Sequence, residues 1–161
     1  MKTITSAGQH SIQAPALGIA VLRVVVGMTF LLHGWQKLVD MGLPATAQFF
    51  AKLGVPAPEL TAAMVTAFEI VCGIAVLVGF LSRWATIPLA LDMLAAIFLF
   101  HLPRGFFAGG NGVELPLVLL AGLVALALNG SGALSIDSLL AAVRSAPTPA
   151  SRSMCPAAAH D

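Results

Sequence analysis

Seven ionisable side chains sit within or at the edges of stretches otherwise built for lipid: Arg23, His33, Lys37, Glu69, Asp92, His101 and Glu114. At a bilayer's centre such a group costs at least about 2.5 to 3.5 kcal/mol on insertion scales, so it turns toward a bundle interior, a partner or water. The set supplies cationic hydrogen-bond donors, proton-exchanging carboxyls and two imidazoles. That chemistry suits three tasks: holding a small polar head group, passing protons, or locking helices together through a buried salt bridge.

The stretch HGWQKL, His33 to Leu38, shows how the groups are arranged. At 3.6 residues per turn, Arg23, Gly27, Gly34 and Lys37 share one narrow helical face, with His33 at its margin and Trp35 placed as an interfacial anchor. Small residues beside charges mark the face that packs into a bundle. Thr66, Glu69 and Gly73 repeat the arrangement on the next apolar run. Depth along the spans places Arg23, Glu69 and Asp92 in a central layer, either as a buried salt bridge of Arg23 with Glu69 or Asp92 or as a polar pocket for a small ligand. His33, Lys37, His101 and Glu114 form an outer layer toward one surface. In an unbroken helix Asp92 and His101, nine residues apart, fall on opposite faces and need not serve one site. His33 and His101 are weak candidates for metal or haem, alone or with Glu114, because neither lies in a ligand motif. No metal site is expected.

The elements that position these groups follow from composition. Of 161 residues, 58% are hydrophobic and only 9% charged, with a mean hydropathy of +0.95, whereas soluble domains carry about a quarter charged residues. The chain belongs in a bilayer. Net charge is +1 and no basic cluster exists, which sets nucleic acid aside. Cys72 and Cys155 form no CxxC or zinc spacing, so no disulfide framework is expected.

Four runs are long enough to be spans: Ala16–Val39, Leu60–Leu81, Trp84–Leu102 and Val113–Leu128. Before them lies a polar segment, residues 1–15, without the marks of a cleaved signal. Between the first two spans, TAQFFAKLG offers a short interfacial helix carrying Phe49, Phe50 and Leu53, ended by VPAP. Ser82 and Arg83 leave room only for an antiparallel hairpin between spans two and three. In NGVE, Asn111 and Glu114 have capping-box spacing. Ser135 is the expected N-cap of an amphipathic helix whose face carries Ile136, Leu139, Leu140 and Val143. The tail, residues 145–161, is Pro-, Ala- and Ser-rich and reads as disordered. The fold class is therefore all-α: an integral membrane four-helix bundle, residues 16–144, with a short C-terminal amphipathic helix. Lys and Arg favour cytoplasmic termini by one or two charges.

Arg23, HGWQKL, LGVPAP, FEIVCGIAVLVGFLSRWA, an acidic residue inside the third span, GGNGVELPLVLLAGLVALALNGSG and ALSIDSLL, in this order, resemble the DoxX family of small bacterial membrane proteins. The resemblance covers about Leu17 to Leu140 and carries over to Arg23, Gly34, Lys37, Glu69, Gly73, Gly79, Arg83, Gly112, Glu114, Ser135 and Asp137. It implies four helices in the inner membrane and oxidoreductase labels. It also implies an association with quinol oxidases, thiosulfate:quinone oxidoreductases or redox-stress complexes.

No flavin motif, thioredoxin-like CxxC or haem site accompanies these residues, so no intrinsic cofactor is expected and the redox centre would belong to a partner protein. The leading expectation is a quinone-linked subunit of a membrane complex. Its ligand-binding or polar core would be Arg23, Lys37, Glu69, Asp92 and Glu114, with Arg23 or Lys37 donating to the quinone carbonyls and Glu69 or Asp92 exchanging protons. A small-solute carrier, which would require a homo-oligomer, and a non-catalytic assembly or stress-response subunit stand as alternatives.

Overall fold

The computed structural model describes residues 7–132 and 134–145. Among these residues every regular element is helical. Helix α1 (Ala7–Trp35) continues through a π-helical turn, Gln36–Asp40. It is followed by α2 (Leu43–Lys52), α3 (Pro58–Val78), and α4 (Ser82–Ala96) with its own π-helical turn, Ile97–His101. A loop of two 3-10 turns leads to α5 (Glu114–Asn129), and α6 (Ile136–Arg144) is the last element. The expected disordered tail falls outside the described residues beyond Ser145.

Three helical segments are long and apolar enough to cross a bilayer: Pro15–Asp40, Pro58–Val78 and Ser82–Arg104. The fourth, α5, has 16 residues, fewer than the roughly 20 that a span needs. The bundle is apolar on both sides. Val26, Phe30, Val76, Leu89, Leu123 and Leu126 fill its core, while Val21, Val25, Val71, Leu91, Phe98 and Val118 face outward. An apolar exterior on this scale is stable only against lipid.

Close packing of α1 on α3 sets the register. A Cβ on Gly27 would stand 2.6 Å from the Leu77 backbone nitrogen, and one on Gly73 would stand 2.9 Å from that of Leu31. Only glycine lets the two backbones approach so far. Because the helices are antiparallel, this register puts Lys37 beside Glu69 and leaves Arg23 opposite the α3–α4 turn.

That turn, Gly79 to Leu81, forms because α3 ends in a left-handed glycine with φ +74°. Phe80 N–H then donates to Ala75 O, closing the last turn. Three residues are too few to do more than reverse the chain, so α3 and α4 form the expected hairpin. Ser135 caps α6 as expected, accepting from Ser138 N–H at 3.1 Å. Asn111 does not cap α5. It is left-handed, with φ +59°, and Val113 occupies the cap position. Glu114 instead reaches back to accept from Ala108 N–H at 2.8 Å, so its carboxylate clasps the loop rather than closing a capping box.

Candidate ligand site

At the end of the bundle where α1 and α4 finish and α3 and α5 begin, the helices enclose a cavity of about 620 Å³. Lys37, Glu69, Asp92, His33 and His101 all line it, with walls that include Phe30, Val65, Met93, Leu115 and Leu119. Phe49 and Phe50 of α2 and Leu53 just after it line it from one side, and Ala108, Asn111 and Gly112 of the loop before α5 from another.

Lys37 Nζ donates to both oxygens of Glu69, at 2.7 and 2.6 Å. The pair is asymmetric: the Glu69 side chain is 3% exposed and that of Lys37 21%. Two of the three ammonium protons are thereby used and one is left for a ligand. Asp92 lies within Coulombic reach of both partners. Among the described residues it has no ion-pair partner, the salt bridge being Lys37 to Glu69. The cavity thus presents one ammonium and two carboxyl groups. Its balance differs from that of a closed salt bridge.

Both π-helical turns border this cavity, through Gln36 and Lys37 on α1 and Leu99, Phe100 and His101 on α4. A π turn carries an extra residue and re-aims the side chains beyond it. This is why Asp92 and His101 line one cavity although an unbroken α-helix would put them on opposite faces. His101 Nδ1 donates to Asn111 O at 2.6 Å, tying α4 to the loop. Phe100 stacks edge-on against Phe49 at 5.2 Å between ring centres and lies under the Arg104 guanidinium at 3.7 Å.

The central layer expected for Arg23, Glu69 and Asp92 is not formed. Lys37, not Arg23, pairs with Glu69. Arg23 is buried near the opposite end, donating from Nη1 to Ser131 O and from Nη2 to Leu134 O, both at 2.9 Å. Depth counted from Ala16 misplaces Arg23, because the α1–α3 register is fixed by Gly27 and Gly73. Glu114 holds the loop and is not among the residues bordering the cavity. His33 and His101 share the cavity, and no group of three or more His, Cys, Asp or Glu among the described residues could hold a metal ion.

Around Arg23 gathers a second polar cluster. Asp137 N–H donates to Gly79 O at 3.0 Å, and the Asp137 carboxylate accepts from Leu81 N–H at 3.1 Å and from the Ser131 hydroxyl. A Cβ on Gly79 would run into Arg23 Nη1 and Ser135 Cβ. Arg23, Gly79, Ser135 and Asp137, scattered along the chain, therefore form one latch fastening α6 to the α3–α4 turn.

Burial alone would raise the Asp137 carboxyl's pKa. The Ser131 hydroxyl, the Leu81 and Ser82 N–H groups and the Arg23 charge outweigh it and hold the group below its usual range. Asp137→Ala is expected to lower stability by about 1 kcal/mol, the scale of a lost cap. A carboxyl whose pKa is depressed by folding stabilises above its unfolded value of about 3.9 and loses that contribution as pH falls through the folded one. The gap between wild-type and variant unfolding midpoints should therefore close in acid.

The contribution of α2 and the loop to the cavity is not legible in the sequence. The FF pair in TAQFFAKLG is its only signal, and that reads equally well as lipid anchoring.

A family model described as DoxX matches residues 18–102. The chain is 33% identical over 132 residues to an uncharacterized membrane protein of Mycobacterium tuberculosis, covering 76% of this chain and 80% of that one. It is 34% identical over 121 residues to the Bacillus subtilis protein named "Putative oxidoreductase CatD", covering 75% and 85%. With the Escherichia coli inner membrane protein YqjF it shares 35% identity over 126 residues, covering 77% and 92%. No solved structure matches it. A family model spanning more than half of the chain, and relatives aligned over at least four-fifths of their own lengths, show that this membrane protein belongs to the DoxX family.

Proposed function

We propose that the chain is the quinone-binding, redox-associated subunit of a membrane complex, and that the quinone head group occupies the Lys37/Glu69/Asp92 cavity. The observation that supports this reading is the cavity's make-up. Its 620 Å³ falls within the roughly 300 to 1,000 Å³ of small-molecule sites, which pair apolar walls with a few convergent polar groups. A quinone has the matching form: a flat apolar ring with carbonyl oxygens at opposite edges. The third Lys37 proton would bind one carbonyl, while Phe30, Val65, Met93 and Leu119 would pack on the ring. The oxidoreductase name of the Bacillus subtilis relative is consistent with such a role. Electrons would come from or pass to a partner protein.

The test is titration of the purified protein in nanodiscs with a short-chain ubiquinone analogue. Saturable binding is expected, weakened about 10- to 100-fold in Lys37→Ala, the scale of a lost charge-assisted hydrogen bond of about 1.5 to 3 kcal/mol. Wild-type protein that shows no saturable binding sinks the proposal.

A further inference from the structure

Glu69 has both carboxylate oxygens occupied by Lys37. Asp92 borders the same cavity with no ion-pair partner among the described residues. We infer that Asp92 is the group through which this cavity distinguishes the two redox forms of its ligand: its protonated carboxyl holds the quinone and its carboxylate holds the quinol. The inference rests on the quinone reading and adds to it the identity of the proton-linked residue.

Donors and acceptors decide between the two forms. A quinone oxygen is a carbonyl and can only accept, so against it Asp92 must carry a proton. A quinol oxygen carries a hydrogen and binds best to a carboxylate, as a charge-assisted bond. Lys37 does not discriminate in this way, because its ammonium donates to a carbonyl and to a hydroxyl oxygen alike. Glu69 accepts one bond on each oxygen from Lys37, which leaves it about two further acceptor sites, so its part is separated from that of Asp92 by experiment. An isolated carboxylate among apolar walls is costly unless it is hydrogen-bonded, and the quinol hydroxyl supplies that bond.

The other titratable or charged groups bordering the cavity are His33 from α1, Lys37 from its π-helical turn, Glu69 from α3 and His101 from the extension of α4. The contributions of α2 and α5 are Phe49, Phe50, Leu115, Pro116 and Leu119. His101 Nδ1 is engaged by Asn111 O, and His33 lies within Coulombic reach of Lys37. Glu69 and the two histidines are therefore the competitors to separate from Asp92.

The experiment measures the affinities of a short-chain ubiquinone analogue and of its quinol, the latter under anaerobic conditions, from about pH 5 to about pH 9. One linked proton shifts the ratio of the two affinities by up to about tenfold per pH unit. Quinone is expected to be favoured in acid and quinol in base. In Asp92→Asn the amide both donates and accepts without titrating, so both forms should bind with a pH-independent ratio. Asp92→Glu should restore the slope. A wild-type ratio that stays flat with pH overturns the inference, as does a slope that survives in Asp92→Asn or vanishes in Glu69→Gln, His33→Asn or His101→Asn. All these outcomes presuppose binding by the wild type; if neither form binds at any pH, the quinone reading itself fails, and this inference with it.

Discussion

Lys37→Met is expected to destabilise the protein by about 3 kcal/mol, and Lys37→Met combined with Glu69→Leu by much less. Removing one partner of a buried pair leaves an uncompensated charge, at about 3 to 5 kcal/mol, whereas replacing both with apolar residues is often neutral. The lower end applies because Lys37 keeps about a fifth of its side chain exposed. Glu69 is nearly enclosed, so after the single change it must bind a proton or draw water into the apolar bundle. Denaturant titration of the single and double variants in detergent checks the coupling. If the double variant's loss equals the sum of the two single losses, the ion pair is not a coupled element.

Gly27→Leu carries the second large expected effect, a loss of about 3 kcal/mol or more from overpacking. The new Cβ would lie 2.6 and 2.8 Å from Leu77 N and Cα and 2.9 Å from Gly73 O. All three are backbone atoms, so no rotamer change can relieve the clash and α1 must move away from α3. Gly122→Ala is the contrast. Its Cβ would meet the Val26 side chain at 3.2 Å, and a small shift absorbs it. Because the Gly27 crossing sets which residues of α1 and α3 face each other, the leucine variant should also lose affinity in the quinone titration. A variant that unfolds like the wild type would show that the helices have freedom this packing denies them.

The fold is legible in the sequence where hydropathy and local chemistry agree. Four apolar runs, the α3–α4 hairpin and the Ser135 cap all follow from residues close together in the chain. The inward face of α1 is also readable, since Gly27, Gly34 and Lys37 share it. Depth is what fails. Hydropathy does not say where a helix starts, and a small error in the depth of each antiparallel partner adds to the other when the two are matched. Counting depth therefore sets Arg23 beside Glu69 or Asp92, whereas the glycine contacts put Lys37 beside Glu69. The π-helical turns are invisible for a different reason. Nothing in QKLVD or IFLFH departs from ordinary helix-forming sequence, yet each turn changes the direction of the side chains after it. An unbroken helix accordingly puts Asp92 and His101 on different faces. The latch shows the converse: Arg23, Gly79, Ser135 and Asp137 each stand out in the sequence, but only tertiary structure shows that they form one unit.

The shortness of α5 has a consequence for the surrounding bilayer. At 1.5 Å per residue its 16 residues extend about 24 Å, roughly 6 Å less than the hydrocarbon thickness. Such a mismatch is relieved by local thinning of the bilayer, by snorkelling of flanking side chains or by association with further helices. The backbone of the segment just before α5 is closed largely on itself. Val113 N–H donates to Gly105 O at 3.0 Å, Glu114 N–H to Phe106 O at 2.9 Å, Gly112 N–H to Phe107 O at 3.0 Å, and Ala108 N–H to the Glu114 carboxylate. Its residues 102–111 are nonetheless exposed, and lipid-exposed irregular backbone does not enter the hydrocarbon, so thinning of the bilayer beside α5 is the course left to the lipid. A bilayer thinned beside α5 would bring its acyl chains closer to the end of the bundle where the cavity lies, shortening the path of a ligand carried in the membrane.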